Sequence, residues 1–247
     1  MNMKQYLDST YLKTADQAGL TESENQTIVK SFVSEAIEEE FKLIMIRPNM
    51  VTMARKLIND ASSKVLIGTV IDFPEGTSSI DQKLLEATKA IKDGADELDF
   101  VCNYQAFMDG NTSLVKEEIL KGTQLALTHH KTIKWIIEVA ALNPQQIVQL
   151  TALIKNVIIT NFKEDCYSNV FVKSSTGFYK TPNGEPNGAT IPSIIMMLEN
   201  ASPLPVKAAG GVRNYKEAIE MIKLGVKRIG TSAAKAIILG QTSTENY

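Results

Sequence analysis

The chain has 247 residues, of which 44% are hydrophobic and 22% charged, which is ordinary globular composition with ample chain for a buried core. A formal net charge of -2 gives no general field for nucleic acid or an anionic membrane, so any phosphate recognition has to be local. Two cysteines and an N-terminus without an apolar signal-peptide core lead us to expect a reducing cytoplasm, and no apolar run approaches the ~20 residues that cross a bilayer.

Residues 6–8 read as a first, weakly signalled strand, followed by apolar runs over 43–46 and 65–71. Ser79 with Gln82 resembles a capping box ahead of Leu84, Leu85, Ala87 and Ile91, and Gly94 stands where a left-handed helix cap belongs. A fourth strand is expected over 98–102. His129 and His130 read as a solvated helix end ahead of a fifth strand over 133–139, and two adjacent histidines make no transition-metal set. Asn143 and Pro144 supply a cap and a first-turn proline for a helix through Ile147, Leu150 and Leu153. A sixth strand over 170–173 leads to residues 181–188, rich in Pro, Gly and Asn, which read as a functional or surface loop. The seventh strand is expected over 205–208. Asn214 with Glu217 repeats the capping box, Gly225 ends that helix, and 228–231 form the eighth strand. Beyond about residue 240 the chain is polar and is expected to be a mobile tail.

About eight strands alternating with helices predict an α/β fold, a closed TIM (β/α)8 barrel that makes a single domain of residues 1–247. The nearly continuous apolar runs suit parallel strands buried on both faces. No Gly-x-Gly-x-x-Gly follows a strand, so a dinucleotide-binding sheet has no support.

In such a barrel, catalytic groups project from the C-terminal ends of the strands. Asp8, Asp99, Glu138, Lys173 and Lys207 fall at or near those ends, whereas Asp96 and Glu97 read as loop residues. Asp99 stands among residues that should be buried and needs a cationic partner, which Lys207 or Lys173 would supply. For Asp8 and Glu138, satisfying strand-end N–H groups is as good a reading as a direct role. Lys173 ends an apolar run and precedes Ser-Ser-Thr-Gly. In one reading its stem covers apolar surface while its head reaches water; in the other it loses its proton and becomes a carbonyl nucleophile. Bringing a lysine from about 10.4 to about 7 takes roughly 4.6 kcal/mol, within what burial and a second ammonium supply together. Gly210 and Gly211 after the seventh strand, and Gly230 and Ser232 at the eighth, have the makings of an anion nest.

At these residues the sequence resembles the 2-deoxy-D-ribose-5-phosphate aldolases, class I aldolases with a TIM-barrel fold. The resemblance runs from about Tyr6 to Leu239. Its most specific pieces are Val172-Lys173-Ser174-Ser175-Thr176-Gly177-Phe178, Ala209-Gly210-Gly211-Val212-Arg213 and Arg228-Ile229-Gly230-Thr231-Ser232. The resemblance implies Lys173 as the Schiff-base lysine, Lys207 as the lysine that perturbs it and Asp99 as the proton relay. It places Gly177, Gly210, Gly211, Gly230 and Ser232 on the phosphate site, with Asp8, Thr10, Glu138 and the C-terminal Tyr247 as supporting residues. The implied reaction is reversible cleavage of 2-deoxyribose 5-phosphate to acetaldehyde and glyceraldehyde 3-phosphate, in deoxyribonucleotide catabolism, by a homodimer that needs no metal or organic cofactor. Arg47, in Met45-Ile46-Arg47-Pro48, and Asp72, before Phe73-Pro74, depart from the family pattern. They keep open an aldolase for another phosphorylated sugar, beside a silent sugar-phosphate-binding barrel.

Overall fold

Each expected apolar run becomes a strand, within a residue or two at its start, in the computed structural model, which describes residues 2–242. The strands are β1 Leu7–Thr10, β2 Leu43–Ile46, β3 Leu66–Ile71, β4 Glu97–Val101, β5 Thr132–Ile136, β6 Val170–Lys173, β7 Val206–Ala209 and β8 Arg228–Thr231. They pair in parallel, in sequence order, and β1 closes on β8. This is the TIM barrel.

The fifth strand stops at Ile136, so Glu138 lies beyond it with a left-handed backbone, φ 54°. The helices on the outside are α1 Ala15–Ala18, α2 Glu22–Glu38, α3 Val51–Asp60, α4 Ile80–Asp93 and α5 Tyr104–Met108. They continue with α6 Thr112–Thr128, α7 Pro144–Asn161, α8 Ile191–Ala201, α9 Tyr215–Leu224 and α10 Ala234–Ile238. Caps set several of these ends. Asn143 and Gln146 exchange both bonds of a capping box at α7, with Pro144 in the first turn. Ser79 and Asn214 each cap through their side chains, but Glu217 turns to the N–H of Arg213, so α9 carries only half the expected box. Gly94 and Gly225 terminate α4 and α9 in the left-handed conformation that a side chain would strain.

Two apolar layers result from period-2 alternation. Outward residues such as Ile44, Ile46, Ile67, Ile71, Leu98, Phe100 and Trp135 pack under the helices, each worth roughly 1.5–3 kcal/mol of burial. The Trp135 indole donates to Thr123 Oγ1 at 3.0 Å, and a Cβ at Gly122 would strike its ring at 2.8 Å, so a helix passes this tryptophan only by omitting a side chain. A second, smaller apolar cluster, Leu12, Leu43, Met45 and Val70, lies on the opposite face of the same strands, with Leu66, Phe73 and Phe178 against it. That cluster is inside the barrel, on the β1–β3 side.

Candidate active site

The other side of the lumen is charged. Alternation points Glu97 and Asp99 of β4 inward together, and Lys134, Lys173, Lys207 and Arg228 enter from β5, β6, β7 and β8. All are at least nine-tenths buried. Burying so many charges is tolerable only if each is paired. Asp99 Oδ1 lies 2.6 Å from Lys134 Nζ, while its Oδ2 accepts from Lys173 at 2.8 Å and from Lys207 at 3.0 Å. Lys173 and Lys207 are register partners across β6 and β7, which is why one carboxylate oxygen reaches both. Lys207 Nζ also stands 2.6 Å from Asp8 Oδ2, as an ion pair without hydrogen-bond alignment. Arg228 donates from Nε to Asp8 Oδ1 at 2.7 Å and from Nη1 to Glu97 Oε1 at 3.0 Å. Glu97 returns to Lys134 at 2.6 Å.

Counting partners separates the lysines. Lys134 contacts Asp99 and Glu97, Lys207 contacts Asp8 and Asp99, and Arg228 contacts Asp8 and Glu97. Among the described residues, Lys173 has Asp99 alone. Four cations therefore face three carboxylates, and the network becomes neutral when one lysine sheds its proton. Burial pushes Lys173 down to about 8; Asp99 resists the fall, and the charges of Lys207 and Lys134 assist it. At that value roughly one Lys173 in ten is unprotonated at pH 7, against about one in 2,500 for a free lysine. Burial by itself would raise the Asp99 carboxyl, but Lys134, Lys173 and Lys207 hold it well below the usual range. Asp8 is likewise held down, by Arg228 first and then Lys207, against its burial.

Glu97 was expected in a loop and is instead a buried member of β4, because the ladder begins one residue earlier than the apolar run. Its signal was the alternation Glu97, Leu98, Asp99, which puts both carboxylates on one face. Lys134 and Arg228 were missed as site residues. Lys134 interrupts an apolar run just as Asp99 does, so the same reasoning would have found it. Asp96, just before β4, is half-buried and pairs with Arg55.

Gly210, Gly211, Gly230 and Ser232 line one cleft of about 900 Å³, together with Asn187 and Gly188, which pack beside Gly210. A Cβ at Gly230 would meet Lys207 Cε at 3.1 Å, so this glycine lets the Lys207 side chain pass. Gly177 stands apart from this lining: its N–H is donated to Ser175 Oγ at 2.9 Å and is not free for an anion. Thr10 turns its hydroxyl back on the Asp8 carbonyl, 2.8 Å away. Glu138 binds the turn after β6 through Ser175 and Thr176. Tyr247 and most of the expected tail lie outside the described residues; Thr242, the last described, bridges antiparallel to Asn214.

Arg47 is committed to the protein. Its Nε donates to the Leu12 carbonyl at 2.7 Å and its Nη1 to the Phe73 carbonyl at 3.1 Å, with the guanidinium 4.8 Å from the centre of the Phe73 ring. Asp72 accepts from the N–H and hydroxyl of Ser78 at 2.8 and 2.7 Å, and lies 3.3 Å from the buried Lys83. Arg47 therefore ties three loops together, and Asp72 braces its own loop and holds it to α4. Among the described residues there is no acidic, histidine or cysteine cluster suited to a metal, and no helix long and apolar enough to cross a membrane.

The sequence matches the model of the DeoC/LacD family aldolase over residues 5–241. It is 33% identical to the deoxyribose-phosphate aldolase of Caldicellulosiruptor saccharolyticus over 94% of this chain and 95% of that one. With the enzyme of the same name from Thermococcus gammatolerans it shares 33% identity over 99% of both chains. Among solved structures, a putative deoxyribose-phosphate aldolase from Coccidioides immitis superposes with a TM-score of 0.79 at 29% identity, covering 96% of this chain and 84% of that one. A deoxyribose phosphate aldolase from Aeropyrum pernix, described as a tetramer, gives 0.76 at 25% identity over 96% and 89%. The chain belongs to the DeoC/LacD aldolase family.

Proposed function

We propose, with family membership as the premise, that the protein cleaves 2-deoxy-D-ribose 5-phosphate to acetaldehyde and D-glyceraldehyde 3-phosphate, reversibly, through a Schiff base on Lys173. One observation carries the reading: of the lysines in the lumen, Lys173 alone has a single carboxylate partner, and that carboxylate is shared with two others. Neutral Lys173 adds to C1 of the open-chain sugar, and loss of water leaves an iminium. The C3 hydroxyl then gives up its proton, by way of a water, to the Asp99 and Lys207 pair. The C2–C3 bonding electrons pass into the iminium, and glyceraldehyde 3-phosphate departs. Protonation of the enamine at C2 and hydrolysis release acetaldehyde and regenerate Lys173.

Asp99 suits a relay because its depressed carboxyl stays ionised while Lys134 fixes its orientation through the other oxygen. The N–H groups of Gly210, Gly211 and Ser232 are the donors we assign to the substrate phosphate. Asp8 acts indirectly, by holding Lys207 in register. The reaction belongs to deoxyribonucleotide catabolism in the cytoplasm, and the expected assembly is a homodimer, measurable by light scattering on the purified chain.

Borohydride reduction in the presence of deoxyribose 5-phosphate, followed by peptide mass analysis, tests the assignment. The expected adduct sits on Lys173; an adduct on Lys134 or Lys207, or none with turnover intact, rejects it.

A further inference from the structure

Among the described residues, Glu138 is the one buried carboxylate at the mouth of the barrel that has no cation within hydrogen-bonding distance. Its hydrogen-bond pattern fixes where a proton is. Ser175 Oγ lies 2.7 Å from Glu138 Oε1 and 2.6 Å from the Asn187 carbonyl, and it also accepts from the N–H of Gly177 at 2.9 Å. A serine hydroxyl has one hydrogen, and the Asn187 carbonyl can only accept. Two such close acceptors cannot share that hydrogen. The proton between Oε1 and Oγ must therefore come from Glu138, which leaves the serine hydrogen for Asn187. The other oxygen behaves as the carbonyl of a carboxylic acid should: Oε2 accepts from the N–H of Thr176 at 3.2 Å and from the Thr176 hydroxyl.

We infer that Glu138 works as a neutral carboxylic acid, a positioning residue whose proton locks Ser175 onto Asn187 and so builds the wall of the phosphate cleft; this rests on the phosphate reading above. The chain of contacts is continuous. Asn187 also donates from Nδ2 to the Gly177 carbonyl at 2.9 Å, and its neighbour Gly188 lies so close to Gly210 that a Cβ there would collide with the Gly210 backbone. Holding Asn187 therefore places Gly188 against the glycine pair that the cleft is built on. When Glu138 ionises, its Oε1 takes the Ser175 hydrogen, the Asn187 carbonyl loses its donor, and a negative charge is added next to an anion site.

The titratable groups facing Glu138 are Lys173 from β6 and Tyr104 from α5. Burial pushes the Glu138 carboxyl up; the hydroxyls of Thr176 and Ser175, the Thr176 N–H and the more distant Lys173 charge pull it back only in part. Tyr104 is itself pushed up to about 12, so it stays neutral across the working range.

Two measurements test this. The infrared difference between the wild type and Glu138→Gln at neutral pH should show the carbonyl stretch of a protonated carboxylic acid in the wild type alone. Its absence overturns the inference whether or not the protein is an aldolase. In kinetics with deoxyribose 5-phosphate, Glu138→Ala should raise KM by roughly tenfold or more with a much smaller change in kcat, the cost of unpaired Ser175 and Thr176 groups. Glu138→Gln, whose amide donates and accepts at the same two places, should restore most of that loss. The wild-type KM should rise on the alkaline side, and Glu138→Gln should flatten the rise. Ser175→Ala, which keeps the carboxyl, should raise KM as Glu138→Ala does. Equal losses in the glutamine and alanine variants, or a KM that neither alanine variant moves, would overturn the proposal. A wild type with no turnover and no Lys173 adduct would instead reject the aldolase reading.

Discussion

The two sides of the barrel lumen are built from the same kind of short parallel strand and have opposite contents. From β4 round to β8, and onto Asp8 of β1, the interior carries four cations and three carboxylates. Across β1 to β3 it carries Leu12, Leu43, Met45, Leu66 and Val70, closed over by Phe73 and Phe178. Neither side is sufficient for the chemistry. The charged side alone, if open to water, would leave Lys173 near its ordinary pKa, because water screens the neighbouring ammonium groups. The apolar side alone has no nucleophile. Together they leave a single under-paired lysine in a closed lumen that is charged on one side and apolar on the other.

The largest effect expected of breaking this arrangement comes from Lys173 itself. Lys173→Met should abolish adduct formation and lower turnover by at least about 10³-fold, and it should also make the protein more stable at neutral pH. The sign follows from linkage. The folded value of about 8 lies below the 10.5 of the exposed group, so the unfolded chain holds more protons between those values. The cost of burying the ammonium is full below about pH 8 and fades as pH rises toward 10.5. Removing it at pH 7 gains up to about 3 kcal/mol, read as a higher midpoint in thermal or urea unfolding; a lower midpoint would contradict the partner count.

Asp99→Asn is expected to cost about 10²–10⁴-fold in turnover by removing the relay. Because Asp99 is what holds the Lys173 proton on, the variant should still trap substrate with borohydride, and at lower pH than the wild type. Lys207→Leu removes a charge that favours the neutral form of Lys173, so the rising acid limb of the rate profile should move upward by about one unit and neutral-pH turnover should fall about tenfold. A limb that stays in place would mean that burial alone sets the lysine. Smallest is a change on the apolar side. Gly68 of β3 leaves room for Met45 and Leu43, and an added methyl would overlap both side chains. Gly68→Ala should cost about 1–3 kcal/mol of stability by overpacking, seen in the unfolding midpoint, while the acid limb stays where it was.

Much of this was legible in the sequence because it rests on local rules. The βα alternation, the strand positions and the caps at Asn143, Gly94 and Gly225 follow from periodicity and backbone preference, which a chain expresses wherever it folds. A lysine and an aspartate inside apolar runs also stood out, since burial makes any charge there an exception. Glu97 and Arg228 escaped notice because each stands at the first position of its strand, where a charge is unremarkable until the register turns it inward. Its place in a motif groups Gly177 with the phosphate donors, whereas in the folded protein its N–H is already given to Ser175.

The sequence by itself determined the barrel, the set of ionisable groups in its strands and the glycines that line the cleft. Only the tertiary structure decided which of the three lysines in the lumen is short of a carboxylate, and which groups Glu138 and Ser175 meet. The physical reason is range. Strand and helix signals are carried by neighbours a few residues apart, whereas a pKa or a shared proton depends on groups that meet across the closed sheet, such as Asp99 and Lys207, and on the water that closure keeps away from them.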